Sequence, residues 1–185
     1  TVEPGVDNLV VIDDSIVRGT TLKKSILRIL DRLQPKRIVV ASSAPQIRYP
    51  DCYGIDMARM GDFVAFQAAI ELHRERGNEA LIEQVYLDCK AELEKPLEEQ
   101  RNRVQPLYAS LSEEETAAKI SELLTPKDMG AEVRIIFQSV EGLHAAIPEH
   151  KGDWYFTGNF PTPGGNRVAN RAFVFWKEGR NERAY

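Results

Sequence analysis

The residues able to do chemistry are concentrated in one run, 9–21, LVVIDDSIVRGTT. Adjacent carboxylates, Asp13 and Asp14, follow four apolar residues. Ser15, Ile16, Val17, Arg18 and Gly19 form a short turn, and Thr20 and Thr21 open a helical pattern. Two acids at the end of an apolar strand are costly to bury unless sugar hydroxyls or a metal ion pair with them. The free N–H groups of a helix N-terminus favour an anion, and the hydroxyls of Ser15, Thr20 and Thr21 add donors. Gly19 suits a close backbone approach or a positive φ. Arg18 reads equally as a phosphate partner or as a solvated side chain. A ligand carrying both a phosphate and a vicinal diol, such as a ribose 5-phosphate, satisfies the whole set. The plainer alternative is a turn whose acids only cap a helix. Neighbouring strand residues point to opposite faces, so the two acids can share a ligand only if the strand ends at Asp13. The sequence predicts that it does.

The elements around this run read as α/β. Residues 8–13 form a strand. Thr20 to Leu33 form an amphipathic helix with Leu22, Ile26, Ile29, Leu30 and Leu33 on one face, stopped by Gln34-Pro35. Arg37 to Ala41 is a second strand, making a parallel βαβ unit. A helix spans Asp62 to Arg76 and ends at Gly77. From 78 to 124 the chain is rich in Glu, Lys and Leu. Helices are predicted over Ala80 to Glu94 and Leu97 to Tyr108, and a capping box at Ser112–Glu115 opens a third to Leu124. The Glu-rich run 92–99 reads as a solvated face. Val133 to Phe137 is a strand, and Ser139 caps a helix from Val140 to Ile147. Beyond Pro148 the chain is rich in Gly, Pro, Asn and aromatic residues and reads as a strap against another domain or subunit.

DDSIVRGTT resembles the phosphoribosyl-pyrophosphate (PRPP) motif of type I phosphoribosyltransferases. ASSAPQIRYPDCYGIDM, 41–57, resembles the segment after the next strand in their glutamine amidophosphoribosyltransferase branch. The strong resemblance covers about 8–66, with weaker likeness in VRIIFQSVEGLHAAI (133–147) and FTGNFPT (156–162). It implies the C-terminal part of a type I phosphoribosyltransferase fold, a parallel sheet with flanking helices, carrying a helical insertion and an irregular aromatic tail. The implied division is 1–77 for the half-domain, 78–130 for the insertion, 131–150 for a returning strand-helix unit and 151–185 for the tail. The resemblance places the 5-phosphate on Ser15 to Thr21, and the ribose hydroxyls and Mg²⁺ on Asp13 and Asp14. Purine nucleotide monophosphates would use the same cradle. The implied reaction makes 5-phosphoribosylamine from PRPP and glutamine, the first step of purine synthesis. No catalytic residue is assigned to this chain, because the glutaminase domain with its N-terminal Cys and the pyrophosphate loop have no counterpart in it. A C-terminal fragment, inactive alone, is therefore expected, with an N-terminal glutaminase domain as partner in a homo-oligomer. One branch of the family binds an iron–sulfur cluster through four Cys. Asp51, Gly152 and Tyr155 stand where that branch has ligands, and no cluster is expected.

A net charge of −4 argues against a general nucleic-acid or membrane-surface role. No apolar run reaches the ~20 residues of a membrane span. Two cysteines far apart fit a cytoplasmic protein better than a disulfide scaffold. Cys89 reads as a core residue. His73, His144 and His150 share no metal-ligand spacing. Tyr53, Asp56 and Arg48 read as site-lining or as packing residues. Two rivals share the motif at 13–21: a phosphoribosyltransferase with another acceptor, and a non-catalytic regulator that senses PRPP or a nucleotide.

Overall fold

Three parallel strands, β1 (Asn8–Asp13), β2 (Arg37–Ser42) and β3 (Glu132–Phe137), lie side by side in that order in a computed structural model that describes residues 1–54, 57–150 and 152–185. Their β-branched runs suit a pleated surface. Register is set by burial of one face, where Val11 lies opposite Val40 and Val40 opposite Ile135. Ile38 and Val40 are fully buried. The opposite face is bare: Ile12 is 79% exposed, Val10 66% and Ile136 40%. Parallel sheets ordinarily carry cover on both faces, so an apolar surface is left open here.

The helix after β1 begins with a π-turn, Leu22–Ile26, and continues as α1 (Leu27–Asp31). The extra residue of a π-turn shifts the apolar phase by one position. Leu22 and then Leu27 enter the core, while Ile29 and Leu33, expected inside, are exposed. The helix stops short of Leu33, and the chain leaves through Gln34 at φ +54°.

On the covered face lie α2 (Val64–Glu75) and α5 (Glu113–Leu124), and Ala65, Ala68, Ile120 and Leu124 complete the sheet's core. Ser112 accepts from Glu115 N–H while the Glu115 carboxylate accepts from Ser112 N–H, the reciprocal cap predicted. α5 falls within 78–130, yet its buried side chains belong to the sheet's core. After β3, Ser139 caps α6 (Val140–Ala146) by accepting from Gly142 N–H.

A second core joins the other face of α2 to α3 (Glu79–Leu93), α4 (Pro106–Ala109) and α8 (Pro163–Lys177). The expected helix over Leu97–Tyr108 is absent. A single 3₁₀ turn, Leu97–Glu99, leads to non-helical chain and the short α4. Pro106 cannot sit inside a helix, and side chains hold the intervening backbone. Asn170 accepts from Arg103 N–H at 2.8 Å and donates to Arg101 O at 2.8 Å. Glu92 accepts from Arg101 N–H, Arg103 Nε and Lys95 Nζ, each at 2.8 Å. Glu92 is thus buried, not part of a solvated face. Burial alone would raise its carboxyl, but those donors reverse the effect and bring it to about 2.

The tail is not irregular. α7 (Trp154–Thr157) and the 15-residue α8 account for most of it, and α8 packs on α3. Phe173 and Trp176 meet Phe66 edge-on, at 6.0 and 4.8 Å between ring centroids. The aromatics read as a strap for another domain are used inside this chain.

Ile38 and Ile12 sit on adjacent strands and opposite faces, and offer a direct comparison. Ile38→Ala should cost about 2–5 kcal/mol. Ile12→Ala should change stability by less than about 0.5 kcal/mol. Urea denaturation of both variants checks this, and equal losses would mean that the second face is covered in this chain.

Candidate functional site

β1 ends at Asp13, so the chain turns as soon as the first carboxylate is placed. The turn encloses a cavity of about 560 Å³ lined by Asp13, residues 15–22 and Met57. Asp13 is half-buried and faces this space, whereas Asp14 is exposed and does not line it. Ser15 N–H donates to Asp13 Oδ1 at 3.2 Å and Asp14 Oδ1 at 2.9 Å. Carboxylate oxygens are hard donors of the kind Mg²⁺ takes together with phosphate oxygens, and Asp13 is the acid that faces the cavity. Ser43 holds the turn from β2, its N–H donating to Asp13 O at 2.9 Å and its hydroxyl to Asp14 O at 3.2 Å. Burial, and then the hydrogen bond and charge of Asp14, raise the Asp13 carboxyl above its usual range.

The loop's residues divide into anchors and lining. Ile16 is 3% exposed and packs into the sheet's core. Val17 packs on the helical core, and its carbonyl accepts from Val64 N–H at 2.8 Å. Gly19 has φ +66°, and a side chain there would come within 2.5 Å of Leu124 Cδ1. The positive φ favours glycine, a side chain there would also displace Leu124, and Leu124 is what brings α5 against the loop. Arg18 forms an ion pair with Asp62 at 3.6 Å. Thr20 and Thr21 are exposed where the helix starts, with hydroxyls and first-turn N–H groups at the cavity. Two lining residues were not among those expected, Leu22 and Met57. Met57 closes the YGIDM stretch, and that placement was its signal.

The loop after β2 is tied down by its neighbours. Arg48 lies 5.3 Å over the Tyr108 ring and donates to Gln46 Oε1 at 3.1 Å, which makes it a packing residue. Tyr53 is 63% exposed with its ring edge-on to Trp154. Asp56 lies outside the described residues. Asp51, 2% exposed, accepts from the Tyr155 hydroxyl at 2.9 Å. Burial, then the Asp51 charge, raise the Cys52 thiol. Cys89 is fully buried in α3, and burial pushes its thiol up to about 12. His73 is buried against Leu107 O at 2.7 Å, and His144 lies 3.3 Å from Asp153. Among the described residues no three or more His, Cys, Asp or Glu converge as a metal centre. No described helix is long and apolar enough to cross a membrane.

No protein-family model matches the chain. The amidophosphoribosyltransferase of Pasteurella multocida is 46% identical over 59 residues, 32% of this chain and 12% of that protein. That of Escherichia coli is 38% identical over 68 residues, 37% of this chain and 13% of its own length. That of Lachancea kluyveri is 37% identical over 89 residues, 45% and 17% respectively. Over these stretches the chain resembles the amidophosphoribosyltransferases. It spans about an eighth of the length of the bacterial relatives. Its parallel α/β sheet is compatible with the phosphoribosyltransferase fold.

The raised Asp13 carboxyl has a consequence for stability. An acid that holds its proton more tightly when folded contributes stability that is fully present below its unfolded value of 3.8 and is lost as pH rises through the folded value. Asp13→Asn is neutral throughout. It should match the wild type near pH 3 and exceed it near pH 7, as measured by urea denaturation. A difference independent of pH would contradict the assigned environment.

Proposed function

We propose that this chain is the PRPP-binding part of an amidophosphoribosyltransferase, which makes 5-phosphoribosylamine from PRPP and glutamine at the start of purine synthesis. The observation that carries this reading is the cavity itself. Asp13, the 15–21 loop and a helix start line one space at the C-terminal end of a parallel sheet, the place where open α/β sheets bind ligands.

In this reading the 5-phosphate sits against the loop and the N–H groups of Thr20 and Thr21. The Asp13 carboxylate takes the ribose hydroxyls, and Asp14 stands beside it for the metal. Mg²⁺, when bound, neutralises charge on the pyrophosphate. The task of these residues is positional: they fix the phosphate and the diol so that the anomeric carbon is held for attack by ammonia. Purine nucleotide monophosphates compete for the same cradle through their own phosphate.

The bare face of the sheet supports a place inside a longer polypeptide. The rest of a transferase domain would cover Val10 and Ile12, with a glutaminase domain beyond it, in a cytoplasmic homo-oligomer. We also propose that no iron–sulfur cluster is held. The hydrogen bond between Asp51 and Tyr155 supports this, since it joins two of the positions that matter to each other.

The test is an assay of the full-length gene product for pyrophosphate release from PRPP, with and without glutamine. Release coupled to glutamate formation is expected. Asp13→Asn in that protein should lower kcat/KM for PRPP by roughly 10- to 100-fold, the loss of a charge-assisted hydrogen bond of about 1.5–3 kcal/mol. PRPP binding with no glutamine-dependent turnover would favour a regulator or a different acceptor.

A further inference from the structure

We infer that Tyr155 is a positioning residue for the phosphate cavity, holding in place the loop that carries one of its walls. The inference rests on the reading of 13–21 as the PRPP site. Tyr155 grips the loop after β2 at three points. Its carbonyl accepts two successive N–H groups, Arg48 at 2.8 Å and Tyr49 at 3.1 Å. Its hydroxyl donates to Asp51 Oδ1 at 2.9 Å. Asp51 N–H then donates to Met57 O at 2.8 Å, and Met57 lines the cavity opposite the phosphate loop. The path from the tail to the cavity wall is therefore two hydrogen bonds long, with a buried carboxylate between them. A carboxylate in that position is sensitive to the loss of a donor.

Tyr155 is itself held firmly. Asn102 Nδ2 donates to Gly158 O and Gln105 Nε2 to Thr157 O, each at 3.0 Å. Gly158, at φ +75°, lies so close to the Tyr49 ring that a side chain there would come within 2.6 Å of it. Burial, then the bond to Asp51, raise the phenol to about 12, so it remains a donor across the neutral range. Segments remote in sequence thus set the geometry of the loop facing Ser15 to Thr21.

The chain has three methionines, Met57, Met60 and Met129, and ¹³C-methyl NMR of the full chain reads each one. Tyr155→Phe removes one hydroxyl. It should move the Met57 methyl resonance and leave Met60 and Met129 in place. It should weaken PRPP binding, titrated with Mg²⁺, by about three- to tenfold, the scale of one hydrogen bond. A Met57 resonance unmoved by Tyr155→Phe overturns the inference, and so does an equal shift of all three methyls. A full-length gene product that does not bind PRPP overturns the site reading instead, and the ligand-free spectra of this chain still decide the role of Tyr155.

Discussion

The candidate site depends on the register of three strands, and one row on the covered face, half-buried Val11 with buried Val40 and Ile135, fixes that register. Because strand side chains alternate, a slip of one residue exchanges the two faces. Val10 and Ile12 would enter the core, and Asp14 in place of Asp13 would face the cavity. Which acid faces the cavity is thus decided by apolar packing several residues away. The same packing fixes the turn, since Ile16 belongs to the sheet's core and Gly19 lies against Leu124. The loop that lines the cavity is thus held from beneath by packing in the sheet's core.

The parts legible in the sequence are those whose cause is local. β1 and its end at Asp13, the reciprocal cap at Ser112 and Glu115, and the Ser139 cap each follow from a few neighbouring residues. Failures arise where distant residues decide. The π-turn at Leu22–Ile26 comes from fitting a helix to a loop and a sheet, and it redirects Leu27 inward at the expense of Ile29. The stretch 100–105 has a composition that suits a helix, but Asn170 and Glu92 compete for its backbone, and Pro106 denies the alternative. Glu92 looked solvated because its partners Arg101 and Arg103 lie a turn and a loop further on. The tail looked irregular because its Gly, Pro and Asn outweigh, in composition, the apolar stripe of Val168, Ala169, Ala172 and Phe173. At the site, Asp13, the turn and Gly19 were visible from the motif. Met57 as a wall, and Tyr155 as its support, needed the fold.

Two cores share α2, and this explains how sequence far from the motif can matter to it. One face of α2 packs under the sheet through Ala65 and Ala68, and the other meets α3, α4 and α8 through Phe66 and Ile70. Val64 N–H, at the start of the same helix, holds Val17 of the phosphate loop. The helical core is therefore a foundation for the loop, and the Glu92 and Asn170 networks fix 101–103 within that core. Buried networks of this kind are costly when partly satisfied and rigid when complete.

The bare face of the sheet and the cavity are neighbours on one strand. Val10 and Ile12 point away from the core, and Asp13, the next residue, faces the ligand space. Val10 and Ile12 lie on the face opposite the acid, so a segment that covers them packs on the other side of the sheet from the Asp13 side chain. The gain from burying two β-branched side chains, about 1.5–3 kcal/mol each, would stabilise the sheet against whatever packs there. An exposed apolar strand is an aggregation risk that proteins normally manage. Here Val10 and Ile12 carry that risk on one face of β1, while Asp13 at its end turns to the other.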